Sequence, residues 1–155
     1  MVIETNAMYT EEPTKGIDFY SLLEKSEEFT SELGKVALAS GKLEVELIIL
    51  LEQNDVKVDY SRATLGSLRS QAEKNKLLRT NMLEALKLVT NQRNYLTHNI
   101  YALFSGQIDE TILQKNDLLD SDIETYIEKV IELKVSIHSL VDVIRMRGYE
   151  VIKKA

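Results

Sequence analysis

The chain has 155 residues, one proline, no cysteine, no tryptophan and a formal net charge of −6 at neutral pH. That length suits one domain with a sizeable core. The lack of cysteine excludes disulfides, thiolate metal sites and cysteine nucleophiles, and it fits a reducing cytoplasm. No run of apolar residues is long enough to span a bilayer. The opening Met1-Val2-Ile3-Glu4 lacks the basic-then-apolar pattern of a signal peptide. A cytoplasmic chain without membrane contact is therefore expected.

Leu, Ile, Lys and Glu dominate, which favours helices. Residues 1–16 read as a flexible arm, because Glu4, Thr5, Glu11, Glu12, Pro13, Thr14 and Gly16 offer little to bury. A single helical-bundle domain is expected over 17–155. Its helical period begins at Ile17 with Phe19, Leu22 and Leu23. It continues through Phe29, Leu33, Val36 and Leu43 to the run from Val45 to Leu51. Gly34 and Gly41 either break this stretch into two helices or permit close packing in one. Asn54 to Ser61 is a connection, and Thr64 caps a short helix reaching about Lys74. Asn81 and Glu84 form a capping-box pattern that opens the next helix, and Gly106 ends it. Ser121 and Glu124 repeat that pattern before a last long helix carrying Ile123, Ile127, Val130, Ile137, Val141 and Ile144. Gly148 is the expected end, with a further turn through Val151 and Ile152 as the alternative. No long strand alternation and no internal repeat is present, so the fold expected is an all-α bundle of about four to five helices.

The most informative segment is Arg93-Asn94-Tyr95-Leu96-Thr97-His98-Asn99-Ile100-Tyr101. On a continuous helix at about 100° per residue, Arg93, Asn94, Thr97, His98 and Tyr101 share one arc. Met82, Leu86, Val89, Ile100 and Phe104 lie in the same stripe as Arg93. An arginine amid apolar neighbours is costly unless it is paired or used, which makes the segment a candidate site. One helix earlier, Ala37, Ser40, Gly41, Glu44, Ile48 and Leu51 share a face. If that face meets the motif helix, Glu44 pairs with Arg93 and holds its guanidinium. The alternative is a solvated Glu44 at the edge of the face.

The Arg-Asn-x-x-x-His spacing of Arg93, Asn94 and His98 resembles the HEPN superfamily, whose members carry an Arg-x(4–6)-His signature on a late helix. The resemblance implies a HEPN-like helical bundle that dimerises and joins two motifs in one composite site. Many members are metal-independent ribonucleases, often toxins or defence effectors. Others are inactive binding modules. Two residues separate His98 from Tyr101 here, unlike the toxin pattern, so no role is carried to that tyrosine from the family. A looser likeness, confined mainly to this segment, links the chain to the mannitol-operon repressor family.

The residue types suit RNA cleavage. RNA supplies its own nucleophile, the 2′-hydroxyl. Histidine is suited to moving the protons because its ordinary pKa lies near neutrality. Arginine stays protonated and presents a fork that matches phosphate oxygens. Asn94 is placed to bond a phosphate or to orient His98. One chain offers one histidine at this site; a two-fold pairing offers two, enough for separate acid and base roles. Thr97, Tyr101 and Glu44 are supporting candidates.

Charge is unevenly spread. Between Ser61 and Ser105, seven basic residues face two acidic ones, a local charge of +5, which leaves −11 for the remainder. Within this block Lys74, Lys76 and Arg79 are the candidate RNA contacts. The plainer alternative is that the block pairs with acidic faces inside the bundle. Tyr95 suits packing or an interface. His138 lacks acidic or histidine neighbours at metal spacing and reads as structural. No Walker loop, zinc-protease helix, nucleophile elbow or dinucleotide fingerprint occurs, and nothing calls for a cofactor or metal. The expectation is a homodimeric endoribonuclease with an RNA substrate and an antitoxin or regulatory protein as partner. A non-catalytic helical regulator and a purely structural bundle are the alternatives.

Overall fold

The computed structural model describes residues 13–98, 100 and 120–154. Five helices, and no strand, occur among them: α1 (Pro13–Lys25), α2 (Glu27–Gln53), α3 (Leu65–Lys74), α4 (Thr80–Thr97) and α5 (Asp120–Lys154). The all-α bundle of four to five helices is thus as expected. α1 begins at Pro13, four residues before the helical start expected at Ile17. Proline suits a first turn because its missing N–H has no partner to lose there.

The break in the first apolar stretch falls at Ser26, not at either glycine. Ser26 is extended, and its Oγ accepts from the Phe29 N–H at 3.1 Å. Glu27 and Glu28 in the first turn of α2 complement its positive end. Gly34 and Gly41 lie inside a continuous α2, and a Cβ on either would meet nothing within 4 Å. The close backbone approach allowed for at these positions is absent.

α2 and α3 stop in the same way. Asn54 and Asn75 cap them, each donating from Nδ2 to the carbonyl four residues back, at 2.8 and 2.7 Å. Asp55 and Lys76 then turn left-handed, at φ 63° and 55°. A short 3-10 turn, Tyr60–Arg62, spans the end of the expected connection and runs one residue past it. Thr64 caps α3 as expected, and Ser67 completes a reciprocal capping box at 2.9 and 3.1 Å.

The next two boundaries differ from expectation. α4 starts at Thr80 behind Arg79, which makes no side-chain cap, so Asn81 and Glu84 are interior residues. Leu78, buried just before it, fixes where the chain enters the helix. Ser121 likewise lies inside α5, and that helix runs through Gly148 to Lys154.

α2 and α5 form the principal contact of the bundle. They run parallel, because Glu32 pairs with Lys134 at 2.5 Å and, further along both helices, Glu46 pairs with Arg145 at 2.7 Å. Buried Val36, Leu43, Leu47 and Leu50 of α2 and Val130, Ile137, Val141 and Ile144 of α5 belong to one core. Phe19 of α1 meets Tyr126 edge-on at 4.9 Å between ring centres. Leu65 and Leu68 of α3, and Leu86, Val89 and Leu96 of α4, close the core. No described helix is long and apolar enough to cross a membrane.

Candidate functional site

The site begins with how α4 ends. The helix stops at Thr97, and His98 is its C-cap in an extended conformation, φ −137° and ψ 129°. The expected continuation through Tyr101 to Gly106 is not made at this point. Thr97 Oγ1 donates to the Asn94 carbonyl at 3.0 Å, and the His98 N–H donates to the same oxygen at 2.9 Å. Just beyond, the Ile100 N–H donates to the Tyr20 hydroxyl oxygen at 3.1 Å, and Ile100 is buried. Beyond the helix end, Ile100 is thus tied to α1. Tyr101 and Gly106 lie outside the described residues.

This ending divides the motif. Arg93 is half-buried and lines a cavity of about 140 Å³ with Leu33, Val36, Ser40, Glu44, Leu96 and Thr97. Asn94 and His98 are exposed, and His98 does not line that cavity. Arg93 Nε is shielded from solvent and has no hydrogen-bond partner. Ser40 Oγ, on the same cavity, is likewise unpartnered, in a residue only 3% exposed. A helical hydroxyl commonly bonds the carbonyl one turn back, as Thr90 does to Leu86 at 2.6 Å. Ser40 has no such bond.

Glu44 shares the cavity, so the helix face read from the sequence does meet the motif helix. The expected ion pair is nevertheless not formed: no Arg93 nitrogen lies within 4.0 Å of a Glu44 carboxylate oxygen. Two physical causes account for this. α2 and α4 touch over only a short stretch. Both side chains also keep solvent contact, so neither must be neutralised by the other.

A second chamber of about 200 Å³ adjoins the first and shares Leu33 and Leu96 with it. Tyr20, Leu23, Phe29 and Ile100 line it together with Glu24 and Thr30, and its exposed lining is mainly apolar. Tyr20 and Ser40 had no place in the sequence-derived site. Ser40 read only as a small residue, and no local signal ties Tyr20 to Ile100.

The basic block lies mostly on the surface. Lys74, Lys76 and Arg79 are exposed and make no ion pair among the described residues. Arg69, Lys76 and Lys87 line a cleft of about 470 Å³ with Glu73, Glu84 and Thr80. Arg69 reaches Glu73 at 3.4 Å, and Arg62 reaches Asp59 at 3.8 Å. Those pairs are local; the inter-helix ion pairs Glu32–Lys134 and Glu46–Arg145 use none of the block. His138 is exposed on α5, and Tyr95 is partly exposed on α4. Among the described residues, no three His, Cys, Asp or Glu side chains are grouped to hold a metal. Comparison with protein-family models, curated proteins and solved structures finds no match for this chain.

Proposed function

We propose that this chain is a HEPN-like, metal-independent endoribonuclease of the toxin or defence type, acting as a cytoplasmic homodimer with a composite site. The observation that supports it best is that, among the described residues, Arg93 Nε is buried without a partner while the Asn94 and His98 side chains are exposed. A polar cluster that only fixed helix register would satisfy its groups internally. Here a guanidinium and an imidazole stand available near the end of one helix. In this reading Arg93 stabilises the phosphorane-like transition state. His98 of each copy moves one proton, and Asn94 positions the phosphate. Leu88 and Tyr95, seven residues apart on one face of α4, are exposed and give the second copy an apolar surface to cover. Lys74, Lys76 and Arg79 carry the RNA backbone toward the site, and an antitoxin or regulatory protein restrains it.

The test is cleavage of a mixed-sequence RNA in excess EDTA, with the product ends identified by mass. The reading expects chelator-resistant cutting, 2′,3′-cyclic phosphate ends, and resistance wherever the cut position carries 2′-deoxyribose. Activity lost in EDTA and restored by magnesium would contradict it.

A second reading rests on one observation, that Arg93 turns into a cavity His98 does not share. It makes the chain a non-catalytic helical regulator or partner-binding module. RNA left intact under all these conditions, with the fold verified, would favour it.

A further inference from the structure

We propose that the two neighbouring chambers between α1, α2 and α4, which have Leu33 and Leu96 in common, together bind a free amino acid with an apolar side chain. The first chamber presents an anion and a cation that are not spent on each other, Glu44 and Arg93. A space that separates unpaired opposite charges suits a molecule carrying both signs close together. An α-carboxylate accepts from the Arg93 guanidinium, and an α-ammonium donates to Glu44. Ser40, buried and without a partner for its Oγ, lines the same chamber and supplies a neutral hydroxyl beside the head group.

The adjoining chamber defines the rest of the ligand. It shares Leu33 and Leu96 with the first, and Phe29 and Ile100 make it mainly apolar, although Glu24 and Thr30 also line it. On α2, Leu33 and Ser40 are seven residues apart, about 10 Å along the axis. On α4, Arg93 lies three residues from Leu96. Apolar precedes polar along α2 and follows it along α4, and the linings group Ser40 and Glu44 with Arg93 and Phe29 with Ile100, so the polar ends of both helices fall together. Volumes of about 140 and 200 Å³ suit one small molecule at the lower end of the usual range. A phosphate or simple fatty acid is opposed by Glu44, and a simple amine by Arg93.

The proposal goes beyond the ribonuclease reading and shares with it Arg93 and the supporting candidates Glu44 and Thr97. Binding is measured without RNA, so the two fail separately. The experiment is calorimetric titration of the full chain with L-leucine and L-phenylalanine. Leucinamide, 4-methylpentanoate and glycine serve as analogues lacking the carboxylate, the ammonium and the side chain. Saturable binding of the two amino acids is expected. Each analogue should bind about tenfold or more weaker, as loss of a charge-assisted contact or of the apolar group implies. Glu44→Gln and Arg93→Gln should each lower leucine affinity similarly, with folding verified by circular dichroism. Ser40→Ala provides a third variant that leaves both charges in place, and a several-fold loss is expected. No heat of binding up to roughly 10 mM, tenfold above a Kd of about 1 mM, overturns the proposal. So does 4-methylpentanoate binding as tightly as leucine.

Discussion

At Arg93 the guanidinium is bonded to no other group among the described residues, and this sets what its removal does. Arg93→Ala forfeits mainly the packing of a half-buried stem, so stability should fall by about 1 kcal/mol. A broken buried ion pair would cost roughly 3–5 kcal/mol. His98 is exposed at a helix end, and His98→Ala should stay within about 0.5 kcal/mol of the parent. Urea denaturation of the two variants checks both values. An Arg93 loss on the ion-pair scale would contradict the free guanidinium. The sequence led correctly to Glu44, because small and acidic residues at helical spacing placed it on the face toward α4. It did not reveal whether the two charges meet, since that depends on how far the helices diverge and on solvent access. The orphaned Ser40 hydroxyl was illegible for a similar reason: a serine's rotamer is not written in its neighbours.

Among the helices, α2 carries two glycines that its geometry does not need. A Cβ fits at both Gly34 and Gly41, neither of which has a left-handed φ. Gly34→Ala and Gly41→Ala should therefore each stabilise the fold by about 0.5–1 kcal/mol, read as a raised denaturation midpoint. A destabilised variant would show that the space around α2 is filled in solution, for instance by a second copy. The true break at Ser26 was signalled in the sequence by a serine followed by two acidic residues, but the glycines were the louder local cue. The end of α4 was not readable locally, because the chain just beyond it is tied to Tyr20, eighty residues away. The link between α2 and α5 also makes a pH prediction. Hydrogen bonds from Lys134, then Lys35, hold the Glu32 carboxyl below its ordinary value of 4.5. A lowered folded pKa gives stability that is complete above that ordinary value and lost as pH falls through the lowered one. Thermal melts of the parent should thus drop on acidification below pH 4.5. Glu32→Gln should lie roughly 1–3 kcal/mol lower at neutral pH and fall less steeply in acid. Parallel curves for parent and variant would mean that the Lys134 contact contributes nothing.

For the molecule as a whole, charge is segregated. The block from Ser61 to Ser105 stays positive, while the inter-helix ion pairs Glu32–Lys134 and Glu46–Arg145 are made elsewhere. RNA should therefore bind weakly and in a salt-sensitive way at the exposed lysines and arginine near the α3–α4 turn. Reversing Lys74, Lys76 and Arg79 to Glu should weaken binding far more than reversing Lys153 and Lys154, and should lower the salt slope by about 0.7 per lost phosphate contact. Fluorescence titrations at two salt concentrations make the comparison, and equal damage from the C-terminal pair would contradict it. The overall fold class was legible in the sequence because helical periodicity and composition agree along its length. The parallel pairing of α2 and α5 was not, because it is set by contacts about a hundred residues apart. In the proposed ribonuclease, the exposed His98 imidazole moves a proton in RNA cleavage. The single-turnover rate of RNA cleavage in EDTA by the parent and by His98→Ala, prepared identically, tests this directly. A loss of roughly a hundredfold or more is expected with the fold unchanged. Equal rates in the two proteins, or no cleavage by the parent, would contradict it.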